Sequence, residues 1–261
     1  MTKHGHIAAL VLSAAALAAC GDSGQTDISA PVTGAQVLFY NDALGSPGVN
    51  FFADTLKLTG TLTSAGAPSP SGTNYGQIAA GGDYTQAPPG QYALSGRLSD
   101  TTAALQNTMV SSVSTTLAGG KSYSYFQAGP YDATAKHADA FVVEDPIPST
   151  WDYTVANIRF VNAIYNASPG TLTLVNSDTT IHPTPAPVVV GGATAYKSAS
   201  AFVAVPPGTY AFTVTGLNAA KFVGSLVVSG GRYYTLSIRG DINVTSTKAA
   251  TFPTFDFLAN R

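Results

Sequence analysis

One unit is written twice in this chain, and that repetition limits the fold more than any single motif. Gln36-Val37-Leu38-Phe39-Tyr40-Asn41-Asp42 returns 121 positions later as Asn157-Ile158-Arg159-Phe160-Val161-Asn162-Ala163. Each copy is an apolar strand leading into Phe-x-Asn, then a Ser-Pro-Gly turn at Ser46-Pro47-Gly48 and at Ser168-Pro169-Gly170. Further on, Pro88-Pro89-Gly90-Gln91-Tyr92-Ala93 is matched by Pro206-Pro207-Gly208-Thr209-Tyr210-Ala211, and Gly119-Gly120 by Gly230-Gly231. The offset falls from 121 to 111 along the repeat. The difference lies in loops, where changes of length cost little.

Within each copy, short apolar or alternating runs are separated by Gly, Pro and Asn every eight to twelve residues, which reads as strands and turns. Runs at 35–40, 49–53, 56–62, 91–98, 109–117, 123–126 and 141–143 make up the first set. The second set is 158–163, 171–175, 202–205, 210–217, 222–228, 233–238 and 252–258. No window carries a 3.6-residue apolar stripe, and 101–107 allows one helical turn at most. Seven or eight strands per copy give two tandem antiparallel β-sandwiches of the immunoglobulin-like kind, since a propeller needs four or more repeats. The expected boundaries are 34–147 for the first module, 148–152 for a Pro-containing linker and 153–261 for the second.

Charged residues make up only 10% of the chain, against about 25% in an average soluble domain. Polar β surface must therefore come from Thr, Ser, Asn and Gln. A net charge of −2 offers no basic field for a phosphate backbone, which excludes nucleic acid as a partner. The single cysteine excludes an internal disulfide framework and a Cys-cluster metal site.

That cysteine ends a distinctive leader. Ile7 to Ala19 is an apolar run of signal-peptide length, too short to span a bilayer core of about 30 Å. It closes on Leu17-Ala18-Ala19-Cys20-Gly21, which resembles the bacterial lipobox. The resemblance implies cleavage after residue 19, diacylglycerol on Cys20, a flexible tether over 20–33, and attachment of the chain to a membrane through its lipid. Two or more acyl chains, at about 0.8 kcal/mol per buried CH₂, hold such an anchor firmly. Gly21 rather than Asp after the cysteine favours the outer membrane.

The matched pieces Phe39-Tyr40-Asn41 and Phe160-Val161-Asn162, Tyr75-Gly76 and Tyr196-Lys197, and Pro89-Gly90-Gln91-Tyr92 and Pro207-Gly208-Thr209-Tyr210 resemble the domain of unknown function 4397 family. These bacterial envelope and secreted proteins are often tandem. The resemblance implies a sandwich fold and an envelope setting, and it brings no catalytic residues. Lys197 stands where Gly is usual, which puts a sharp turn there in question.

Reaction motifs are scarce. There is no Gly-x-Ser-x-Gly elbow, His-Glu-x-x-His pair or phosphate-binding Gly loop ending in Lys. His137, near Asp132 and Asp139, could form a weak metal or base site but reads more simply as a loop histidine, and so does His182 beside Pro183. No catalytic residue, metal or cofactor is expected. Trp151, the lone tryptophan, is either a plug between modules or a stacking ring for a ligand. Tyr123, Tyr125, Tyr131, Tyr233 and Tyr234 are raw material for a recognition surface, since tyrosine buries area while keeping a wet hydroxyl. The expected function is a structural or binding role in the envelope toward a protein partner. The alternative is recognition of a cell-wall or extracellular glycan through Trp151, Tyr123, Tyr125 and Tyr233. A hydrolase centred on His137 is the third reading.

Overall fold

The computed structural model describes residues 33–260 apart from 61–63, 66–69, 101, 103, 179–184 and 218–221. Cys20, its leader and tether up to residue 32, and His182 lie outside the described residues. The first half of the described chain supplies β1 (Ala35–Asn41), β2 (Val49–Ala53), β3 (Leu56–Lys57), β4 (Gln77–Ile78), β5 (Thr85–Ala87), β6 (Gly90–Leu98), β7 (Met109–Leu117), β8 (Ser122–Asp132) and β9 (His137–Asp145). The second half supplies β10 (Ala156–Asn162), β11 (Gly170–Asn176), β12 (Val188–Thr194), β13 (Ser198–Ala199), β14 (Val203–Val205), β15 (Gly208–Thr215), β16 (Phe222–Val228), β17 (Tyr233–Arg239) and β18 (Thr254–Ala259).

The two halves share one topology. Sheet β4-β1-β8-β9, with β5 also on β1, faces sheet β3-β2-β6-β7; likewise β13-β10-β17-β18, with β14 on β10, faces β12-β11-β15-β16. Each half is a β-sandwich with its own core. Phe39, Phe51, Leu94 and Tyr125 meet in the first, and Phe160, Leu172, Phe212 and Leu236 in the second. The pairing departs from the all-antiparallel expectation at one place in each module. β1 runs parallel to β8, with Gln36 opposite Ser122, and β10 runs parallel to β17, with Asn157 opposite Tyr233. Parallel neighbours need a long crossover, and here almost the whole module supplies it.

β12 is absent from the strand pattern read in the sequence. Gly191 and Gly192 both take positive φ inside it (71° and 79°) and its register against β11 shifts, so the alternation that marks a strand is broken there. The turn at Lys197 does form, with φ 63°, as its counterpart does at Gly76 with φ 75°. The Gly-Gly turns do more than reverse the chain. A Cβ on Gly119 would lie 2.9 Å from the Thr33 carbonyl oxygen and one on Gly230 only 1.9 Å from that of Tyr153. The segment entering each module lies directly across these glycines.

Burial shows where the modules meet. In β1, Ala35, Val37 and Phe39 face the first core, while Leu38 and Tyr40 join a third cluster with Phe126, Ala128 and Phe141 of the first module and Val161 and Ala163 of the second. β8 is consequently buried on both faces from Ser122 to Gly129. One sheet of each module is thus pressed against its counterpart, and this contact positions the polar groups of interest.

Candidate functional site

Alternation along a strand sends successive side chains to opposite faces, so residues two apart on β10 and β17 leave the second core and enter the interface. Arg159 is one of them. Its position corresponds to Leu38 in the first copy, 121 residues earlier. The guanidinium reaches across the modules to Asp145, with Nη2 2.5 Å from Oδ1 and side-chain exposures of 1% and 0%. Around the pair, Nε donates to Thr235 Oγ1 (2.9 Å) and Nη1 to the Glu144 carbonyl (3.1 Å). Asp145 Oδ2 accepts from Tyr84 (2.5 Å) and Ser124 (2.8 Å). Asn260 closes the ring, donating to Tyr84 Oη at 3.0 Å and accepting from Thr235. Burial, followed by the Asp145 charge and hydrogen bond, pushes the Tyr84 hydroxyl well above its ordinary pKa, so it stays a donor.

A second cluster sits at the other end of the interface. Arg239 binds Asp256 in its own module (Nε to Oδ2 2.6 Å) and faces Asp42 of the first at 3.7 Å. Its guanidinium lies over the Tyr75 ring, 5.2 Å from the centroid. Gly76 leaves the room this needs, since a Cβ there would come within 2.8 Å of the guanidinium. Burial, and then repulsion from Asp256, raises the Asp42 pKa to about 8 against the opposing pull of Arg239. Asp42 is therefore largely protonated near neutral pH. Burial disfavours the charge on Arg239, yet Asp256 and Asp42 outweigh it and hold the pKa above normal.

Asp139, placed by sequence beside His137 and Asp132, forms a third contact. It accepts from Tyr196 Oη (2.9 Å) and pairs with Lys197 Nζ (3.0 Å), both of the second module. Burial pushes its carboxyl up, but those two donors prevail and hold it below the usual carboxylate range. Asp132 instead accepts from the backbone N–H of Thr134 and Ala135 at 2.7 and 2.9 Å, and His137 is exposed. Among the described residues no three His, Cys, Asp or Glu side chains gather as a metal site would require.

Tyr123 and Tyr125 must be withdrawn as recognition residues. Both are buried in the first core, because β8 turns that face inward. Tyr123 Oη accepts from the Ala118 N–H (3.0 Å), fastening the turn before its strand, and Tyr125 Oη meets Ser111 Oγ at 2.8 Å. Tyr234 repeats the first role, accepting from the Ser229 N–H at 3.0 Å. Tyr131 is half-buried at the end of β8.

Trp151 and Tyr233 do come together, edge to face at 6.0 Å. Tyr233 also contacts Phe202 at 5.1 Å, and Phe202 in turn lies under the Arg159 guanidinium at 4.9 Å. The rings form a chain from the buried ion pair to the surface. It continues in an open hollow lined by Trp151, Tyr153, Gly230, Gly231 and Arg232, with Tyr153 74% exposed. Sequence reasoning missed Arg159, Asp145, Asp42 and Arg239. The available signal was an Arg in an otherwise apolar strand where the first copy has Leu.

The family profile of Domain of unknown function (DUF4397) matches residues 35–172, which spans the first module and runs into β11. No curated protein matches the sequence. Among solved structures, the Bacillus anthracis TIE protein is 11% identical over 87% of this chain and 44% of its own, with a TM-score of 0.24. The chain thus spans less than half of that structure. A family 26 carbohydrate-binding module from Eubacterium rectale Amy13K, solved with maltoheptaose, is 11% identical over 78% of this chain and 92% of its own, with a TM-score of 0.22.

Proposed function

This chain belongs to the domain of unknown function 4397 family, and within it we propose a lipid-anchored envelope protein whose two modules act as one rigid structural or binding unit. The observation that carries this reading is the buried interface. Its ionisable groups, Arg159 with Asp145 and Arg239 with Asp42 and Asp256, are engaged with one another across or beside the module boundary. Groups so held serve orientation of the modules rather than turnover. The anchor is supported by the lone Cys20 at the end of its leader, and an outer-membrane address by Gly21 after it.

Envelope fractionation of wild type and Cys20→Ala, with protease shaving of whole cells, tests this. Wild type in the outer-membrane fraction and a soluble or unprocessed variant is the expected result. Equal solubility of both forms would overturn the anchor.

A second reading, glycan recognition, is favoured by one feature: the exposed hollow of Trp151 and Tyr153 offers aromatic faces for sugar rings. Retention on insoluble polysaccharide, lost in Trp151→Ala, is its expected signature. No retention on any of several glycans would dismiss it.

A further inference from the structure

An edge strand presents unpaired N–H and C=O groups that template pairing with another chain, unless the edge is short, charged, bulged or covered. Nearly every sheet edge among the described residues has such a guard. β3, β4, β5, β13 and β14 are two or three residues long. β9 carries Asp139 and Glu144, and β18 carries Asp256. β7 has a bulge against β6 and lies alongside β9, and β12 is broken by its two glycines. β16 alone has none of these. It runs seven residues without a charge, Phe-Val-Gly-Ser-Leu-Val-Val, and pairs with β15 along its whole length in unbroken register.

The repeat supplies an internal comparison. Gly90 pairs with Leu117 in the first module as Gly208 pairs with Val228 in the second, so Ser112, Ser114 and Thr116 of β7 correspond to Val223, Ser225 and Val227 of β16. The outward face of the edge is polar in one copy and apolar in the other. Val223 and Val227 are 60% and 66% exposed. Beside them an apolar cleft of about 510 Å³, lined by Phe222, Ile242, Phe252 and Phe255 among others, opens between β16 and the start of β18.

We propose that β16 is the contact through which two copies of this chain pair edge to edge, joining their four-stranded sheets into one. The strand fits itself. Val223-x-Ser225-x-Val227 reads alike in both directions, so an antiparallel partner centred on Ser225 sets each Val223 against Val227 of the other copy. Neither strand brings a charge, so no like-charged pair opposes the contact. The two-fold arrangement is closed and leaves no β16 edge for further growth. A single strand pair buries less than the roughly 1,200–2,000 Å² of a standard interface, so the dimer is reversible and depends on concentration. Tethering on a membrane, as proposed above, raises the effective concentration; the pairing itself does not depend on it.

The test uses the full chain with S225C, with S114C as the matched control in β7 and wild type, carrying Cys20 alone, as baseline. Residues directly opposed across antiparallel strands have Cα atoms about 4.5–5.5 Å apart, within disulfide range. Mild oxidation followed by non-reducing electrophoresis and mass identification should give a homodimer in S225C several-fold above both controls. Adding V223K and V227K, which places lysines opposite each other, should reduce it about tenfold or more while leaving the circular dichroism spectrum unchanged. Equal cross-linking in S225C and S114C, or linkage of S225C to a different protein, would overturn the proposal. The read-out is the mass of the linked species, so it stands apart from the outcome of fractionation.

Discussion

Arg159 and Asp145 show how one buried charge commits a whole neighbourhood. Removing water from two ions costs several kcal/mol each, which their attraction offsets only with good geometry and satisfied remaining groups. Here Thr235, Ser124, Tyr84, Asn260 and the Glu144 carbonyl provide that satisfaction. Removing one partner leaves the other charge uncompensated, so Arg159→Ala should cost about 3–5 kcal/mol in denaturant unfolding. The repeat suggests a repair: Leu38 occupies the Arg159 position in the first module and Asn260 the Asp145 position in the second. Arg159→Leu with Asp145→Asn should therefore lose much less than the single replacement, and a loss as large as that of Arg159→Ala would contradict the account. Asp42 gives a pH dependence of definite sign. Its folded pKa, about 8, lies above the ordinary 3.8, so the folded state binds the proton more tightly. The stabilisation is complete below about pH 4 and is lost as pH rises through 8. Asp42→Asn keeps a neutral side chain there, so the melting temperature of the variant relative to wild type should climb between pH 5 and pH 9. A flat difference over that range would refute a buried, protonated Asp42.

At the scale of elements, β8 explains both what the sequence disclosed and what it concealed. The strand is plain from Tyr123-Ser124-Tyr125-Phe126, and so are its turns. The assignment of Tyr123 and Tyr125 to a surface failed because a strand pattern cannot tell solvent from a second buried face. Tyr123 and Tyr125 enter the sandwich core, while Ser124, Phe126 and Ala128 face the neighbouring module. Phe126 is the middle ring of a stack with Tyr40 (4.2 Å) and Phe141 (4.9 Å). Phe126→Ala should cost about 3–5 kcal/mol, and the loss should fall on docking of the modules rather than on either core. Arg159 was legible only as an anomaly, an Arg amid apolar neighbours, and its partner lies 14 residues back across the linker. β12 stayed hidden behind its glycines. The parallel pairing of β1 with β8 leaves no mark in local pattern, since register between distant strands is a tertiary property.

For the whole molecule, the two faces that meet are related by the repeat but opposite in charge. The first module brings the charges of Asp139 and Asp145, with the protonated Asp42 beside them, and the second brings Arg159, Lys197 and Arg239. Duplicated modules could pair like with like; this division of charge favours first with second. The sequence showed the duplication clearly, but not that the copies would close on each other. Each sandwich has its own core, so two independent transitions would be the default for separate domains. A shared aromatic cluster and a buried ion-pair network instead couple them. Differential scanning calorimetry of the intact protein, beside Phe126→Ala, tests that coupling most directly. The account predicts one cooperative transition for wild type that separates into two in the variant. Two independent transitions already present in wild type would contradict it.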